Sequence, residues 1–164
     1  MQSLRLRLSE FALFGTLVLT GCATPSRPVV QNNPTEWQGR ISVQVLGDSP
    51  SAMSASFLLR GNANNGALDL YSPLGITLAT LQWTPQRVQL IDGGKPQYFS
   101  SLAELTEKTT GAALPIEALF AWLQGRNDTA TGWQADLTAS SQGSLVARRT
   151  APLPEVTLRI KLEP

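Results

Sequence analysis

The sequence predicts a mainly β domain with two helices set late in the chain, on three observations. Apolar residues recur with period two from Trp37 to Phe99, take up a helical period between Ser101 and Gly125, and return to period two from Trp133 to Leu162. Strict alternation marks a strand with one buried face, whereas spacing at i, i+3, i+4 and i+7 marks a helix. The order strands, two helices, strands is met most simply by a strongly twisted antiparallel sheet with both helices against one face.

The first strand is set by Ile41, Val43 and Val45 alternating with Ser42 and Gln44, and residues 47–50 supply a turn. Ala55, Phe57 and Leu59 then alternate with Ser54, Ser56 and Arg60. Gly61-Asn62-Ala63-Asn64-Asn65-Gly66 forms a hairpin loop into a third strand that ends at Tyr71, since Gly and Asn tolerate positive φ. Strands follow at 76–83 and 87–91 around Thr84-Pro85-Gln86, and a short one at 96–99 after Asp92-Gly93-Gly94. A succession of this kind is an antiparallel meander.

Ser101-Leu102-Ala103-Glu104 has the spacing of a capping box, Leu102 and Leu105 give the helix an apolar side, and Gly111 closes it. Pro115 suits the first position of a second helix, whose apolar face is Ile116, Leu119, Phe120 and Leu123 and whose end is Gly125. Strands resume at 133–137, 144–148 and 156–162.

Residues 1–21 read as a secretory signal with a basic start at Arg5 and Arg7 and an apolar run from Phe11 to Leu19. That run is too short to span a bilayer, whose core needs about twenty residues. Leu19-Thr20-Gly21-Cys22 is the pattern of a bacterial lipobox, with Cys22 as the lipid-bearing first residue of the mature chain. Cys22 is the only cysteine, so the mature chain is expected to hold no internal disulfide although it is exported. Two or three acyl chains there would anchor it stably, at roughly 0.8 kcal/mol per buried methylene. Ala23 follows in place of the Asp that retains lipoproteins at the inner membrane of enteric bacteria, which favours the outer membrane. Residues 22–35, rich in Pro and polar groups, read as a flexible tether, and residues 36–164 as one domain.

Of the 13 basic and 12 acidic residues, Arg5, Arg7 and Glu10 belong to the signal, which leaves 11 of each in the mature chain. A neutral domain without basic runs offers no electrostatic footprint for nucleic acid. The chain has no histidine, so it lacks the commonest general base, metal ligand and partner of a serine nucleophile. Asp48, Asp69, Asp92, Asp128 and Asp136 fall near turns or on alternating strands, where a solvated carboxylate is the ordinary reading. Gly93-Gly94 lies in a turn and is no phosphate loop. Enzymatic activity is not expected.

Two alternatives remain open on the residues alone. The inner face of the sheet is either fully packed against the helices or, if the sheet curls far enough, leaves an apolar space suited to an acyl chain. Leu74, at the tip of Tyr71-Ser72-Pro73-Leu74-Gly75-Ile76, either folds back into the domain or stays exposed and enters a bilayer or an apolar groove.

An ordered set of motifs resembles the LolB family of outer-membrane lipoprotein receptors. It comprises the lipobox, Trp37-Gln38-Gly39-Arg40-Ile41, Ser54 to Leu58, Ser72-Pro73-Leu74-Gly75, Gly111-Ala112-Ala113-Leu114-Pro115-Ile116, Leu119-Phe120-Ala121-Trp122-Leu123-Gln124-Gly125 and Gly132-Trp133-Gln134. The resemblance implies a half-closed antiparallel barrel covered by helices and enclosing an apolar cavity. It also implies a receptor that takes lipoproteins from the soluble periplasmic carrier LolA and releases them into the inner leaflet of the outer membrane. The carrier would lack the lipobox, so Cys22 marks the receptor.

On this resemblance Leu74 is the membrane-inserting residue. The candidate acyl-chain cavity is Ile41, Val43, Phe57, Leu70, Leu78, Val88, Ile116, Leu119, Phe120 and Leu123. No cofactor is expected beyond N-acyl and S-diacylglycerol lipid on Cys22, and the expected partners are LolA, acylated cargo and outer-membrane phospholipid, with the chain a monomer. After Gln142 the chain is shorter than many members and ends without the aromatic strand extension some carry, a departure that bears on the far edge of the barrel. The rival reading is a structural or assembly lipoprotein that tethers a packed domain to the outer membrane. A lipid hydrolase is disfavoured by the missing histidine.

Overall fold

The computed structural model describes residues 36–164. The signal segment, Cys22 and the tether therefore lie outside the described residues. Nine strands and two helices follow the expected order: β1 Glu36–Leu46, β2 Ser51–Gly61, β3 Gly66–Tyr71, β4 Thr77–Thr84, β5 Arg87–Asp92, β6 Lys95–Phe99, α1 Leu102–Thr110, α2 Ile116–Leu123, β7 Trp133–Asp136, β8 Ser144–Arg149 and β9 Glu155–Leu162.

All strands join one antiparallel sheet in the order β6-β5-β4-β3-β2-β1-β9-β8-β7. The meander accounts for β1 to β6, and the long return of β9 to the free side of β1 brings the C-terminal hairpins into the same sheet. The sheet is not closed, since β6 and β7 are its two edges.

Pairing puts Ile41 opposite Ala55 and Ile160, Val43 opposite Leu158, and Phe57 opposite Leu70, so the apolar rows of neighbouring strands share one inner face. The two helices cover it, and Leu105, Leu119, Phe120 and Trp122 join the strand residues in a single core cluster. Phe120 meets Trp37 edge-on at 5.5 Å between ring centroids and Trp83 at 6.3 Å. Gly66 makes room for the Trp83 indole, because a Cβ there would lie 2.3 Å from that ring. The indole nitrogen donates to the Asn62 carbonyl at 3.0 Å, which fixes the ring against the β2–β3 hairpin.

Ser101 caps α1 by accepting from the Glu104 amide at 3.1 Å, as the spacing predicts, and Gly111 ends the helix with φ 83°. The reciprocal half of the box differs. The Glu104 carboxylate accepts from the amide and hydroxyl of Ser100 rather than from Ser101, gaining two donors in place of one. Pro115 precedes the first turn of α2 instead of occupying it. The α1–α2 connection is held from within: the Thr106 hydroxyl, buried, accepts from the Leu114 amide at 3.0 Å.

Candidate functional site

One apolar cleft opens between the sheet and the end of α1. Its volume is about 370 Å³, and its walls include Met53 and Ala55 of β2, Leu70 of β3, Leu78 and Ala79 of β4, and Leu90 of β5. Asp92, Gln97, Lys108 and Thr109 supply the polar rim. Sites of this size and lining suit apolar ligands with a few orienting polar groups. Ser51 donates from its hydroxyl to the Thr110 carbonyl at 3.3 Å, tying the start of β2 to the end of α1 beside the cleft.

A β-bulge shapes the cleft's mouth. Leu70 pairs with Ala79 but Tyr71 pairs with Thr77, which leaves Leu78 as the extra residue of β4. An extra residue interrupts the pairing and re-aims its side chain. Leu78 is accordingly 48% exposed while still lining the cleft.

The β3–β4 connection, residues 72–76, satisfies its own backbone. The Ser72 hydroxyl accepts from the amides of Leu74 and Ile76 at 3.3 and 3.2 Å, and Gly75, at φ 79°, donates to the Ser72 carbonyl at 2.9 Å. Nothing in this turn calls for Leu74 to fold back, and it is 87% exposed. Of the two alternatives for its placement, the exposed one is realised. Ile76, expected at the start of a strand, belongs to the loop and is also exposed.

The ten cavity candidates separate by position. Leu70 and Leu78 line the cleft, although Leu78 reaches it from the bulge and not from the inner row. Ile41, Val43, Phe57, Leu119 and Phe120 are buried in the packed core, and Val88 and Leu123 are half-buried against it. Ile116 borders a separate space of about 360 Å³ near Leu114, Glu117 and Thr129. The cleft walls Met53, Ala55, Ala79 and Leu90 are not among the ten. Leu90 could have been found from its period with Val88, since the inner row of β5 continues through it.

The outer face carries the polar networks. Arg60 donates to Asp69 at 2.5 Å and the Thr80 hydroxyl to the same carboxylate at 2.7 Å, so the buried Asp69 is paired and hydrogen-bonded. Desolvation, with the Asp69 charge beside it, raises the Tyr71 phenol above its ordinary value. Among the described residues no group of three His, Cys, Asp or Glu could hold a metal ion, and no helix is long and apolar enough to cross a membrane.

A family model described as outer membrane lipoprotein LolB matches residues 34–152. The chain belongs to the LolB family. It is 33% identical over 146 residues to the outer-membrane lipoprotein LolB of Cupriavidus necator, covering 85% of this chain and 73% of that one. It is 34% identical over 146 residues to the outer-membrane lipoprotein LolB of Cupriavidus taiwanensis, with 85% and 71% covered. The outer-membrane lipoprotein LolB of a Shewanella species (strain MR-7) is 31% identical over 128 residues, with 72% and 58% covered. Membership makes this LolB-family chain an outer-membrane lipoprotein of the lipoprotein-localisation system, and not an enzyme.

Proposed function

We propose that this chain accepts acylated lipoproteins from the periplasmic carrier LolA, shelters their acyl chains, and passes them into the inner leaflet of the outer membrane. In this reading lipid on Cys22 keeps the chain at the periplasmic face of the acceptor bilayer. The sheet and helices act as a half-closed barrel, and the cleft at Leu70 and Leu78 is where an acyl chain enters. The observation that carries the reading is the continuity of an apolar cleft with an exposed apolar loop: Leu70 and Leu78 line the cleft and flank the loop that presents Leu74. An acyl chain leaving the cleft therefore meets apolar side chains up to the loop tip. Transfer needs no nucleotide, because apolar surface is buried progressively from carrier to receptor to bilayer, and that burial is itself favourable.

The test is stepwise transfer of an acylated lipoprotein from purified LolA to the full lipidated chain, and from it to liposomes. A stable cargo complex followed by release to liposomes is expected. Failure to take cargo from the carrier would overturn the reading.

A second reading is favoured by the packing of Leu119, Phe120 and Trp122 into the inner face, which leaves clefts rather than one large enclosed space. A lipoprotein that only tethers a packed domain would bind no acyl chain. Saturable binding of a fluorescent fatty acid, displaced by acylated cargo, rejects it.

A further inference from the structure

Six large apolar side chains stand exposed among the described residues, and five of them, Leu46, Leu74, Ile76, Leu78 and Leu153, lie at one end of the sheet. Antiparallel order puts the β1–β2, β3–β4, β5–β6 and β8–β9 connections together at that end. Leu74 and its neighbours occupy the middle connection. Leu153 stands on the β8–β9 loop, residues 150–154, and is 77% exposed.

That loop is a built feature. Pro152 and Pro154 flank Leu153 and fix φ on either side of it. Its base is held to the body of the domain by Arg149, which lies 5.6 Å from the Trp133 ring centre and donates to the carbonyls of Ala113 and Pro154 at 3.4 Å. The β1–β2 turn packs on it, since a Cβ built on Gly47 would sit 3.3 Å from the Pro154 Cβ, and Leu46 pairs with Glu155. Leu46 and Leu153 thus form a second apolar point on the rim, with β2 between Leu46 and the β3–β4 loop and β2 and β1 between that loop and the β8–β9 connection. The family match stops at residue 152, one short of Leu153.

We propose that the β8–β9 loop is a second membrane-contacting point, at which Leu153 enters the acyl region of a phospholipid bilayer alongside Leu74. This rests on the reading of the Leu74 loop given above. A bilayer is the occupant for two reasons. The chain is an outer-membrane lipoprotein, and Leu74 and Leu153 stand as separate knobs on short turns, a form that a fluid lipid surface accepts without a matching groove. Residues 47–50, 72–76 and 150–154 carry Asp48 as their single charged residue, and Asp92 and Lys95 flank the β5–β6 turn with one charge of each sign, so these connections present no net positive charge that would require anionic headgroups. Two points fix the depth of the domain and its tilt along the line that joins them.

The test uses the full lipidated chain bearing Leu153→Cys, Leu74→Cys or, at the opposite end of the sheet, Asn64→Cys. Each carries an environment-sensitive fluorophore on the new thiol. Labelling of the parent chain in parallel sets the background from Cys22. In phosphatidylcholine and phosphatidylethanolamine vesicles with brominated acyl chains, emission from positions 74 and 153 is quenched and that from 64 is not. Replacing part of the lipid with phosphatidylglycerol changes neither result. Quenching at 74 without quenching at 153 overturns the second point and leaves the Leu74 reading standing, whereas quenching at neither overturns both. Shielding of position 153 only when LolA is added assigns the loop to a protein partner and also overturns the proposal. Leu153→Ser, which should fold normally at so exposed a site, lowers cargo delivery to these vesicles severalfold while leaving cargo uptake from LolA unchanged.

Discussion

Leu70 and Leu78 stand on either side of the loop formed by residues 72–76, each four positions from Leu74, and both line the apolar cleft beside α1. The bulge that leaves Leu78 without a partner on β3 also makes it the most exposed wall of that cleft. Leu78→Asp puts a charge at the mouth where an acyl chain must pass, at little cost to a fold in which this side chain is half in solvent. Fatty-acid affinity should fall at least about tenfold, equivalent to ~1.4 kcal/mol. The urea midpoint should hardly move. Unchanged affinity would mean that acyl chains enter elsewhere.

Leu74→Glu separates holding cargo from delivering it. The side chain is almost wholly exposed and packs on nothing, so stability should change by less than about 0.5 kcal/mol. Taking a leucine out of an apolar phase gives up about 1.5–3 kcal/mol, and the carboxylate adds a desolvation cost. The mutant is expected to accept cargo from LolA and to accumulate it without release to liposomes. Normal release would remove the loop from the mechanism.

The strands were legible because a period of two survives in the strand segments between Ile41 and Leu162, whereas which of their faces lines a cavity was not, since that depends on what packs against the sheet. The sheet order was less so, since nothing in Val156 to Leu162 says that its partner is β1. The cleft was hardest to read. Leu70, Val43 and Phe57 share one face and one period, and which of them stays uncovered depends on where α1 stops. That stop is fixed by Gly111 and by the Ser51–Thr110 hydrogen bond between segments far apart in sequence. The bulge at Leu78 was hidden for another reason: one inserted residue shifts an alternating pattern without breaking it. Leu74 was legible as a loop tip, but its exposure follows from the Ser72 hydroxyl satisfying the turn internally.

Phe120 tests how far the helices and sheet form one cooperative unit. It is 4% exposed and touches Trp37 and Trp83, from opposite parts of the β1–β4 meander, in edge-on geometry. Phe120→Ala removes both aromatic contacts and leaves a cavity under α2, at an expected cost of about 3–5 kcal/mol. Urea unfolding followed by tryptophan fluorescence measures it. A loss below about 1 kcal/mol would show that α2 is only loosely seated on the sheet.

Acid should loosen α1 first at its start. The Ser100 hydroxyl and then the Ser100 amide hold the Glu104 carboxyl below its ordinary range by hydrogen bonding to the charged form. A carboxyl whose folded pKa is lowered contributes stability above its unfolded value, and that stability is lost as the pH falls through the folded value. The native chain therefore keeps the contribution at neutral pH and sheds it below about pH 4.3, the ordinary range of a glutamate. Glu104→Gln preserves the Ser101 cap, which uses the backbone amide of residue 104, but removes the charge. The urea midpoints of the two proteins should differ at pH 7 and converge near pH 3, with hydrogen exchange in the first turn of α1 following the same course. A midpoint difference that persisted at pH 3 would assign the effect to the shape of the side chain and not to its charge.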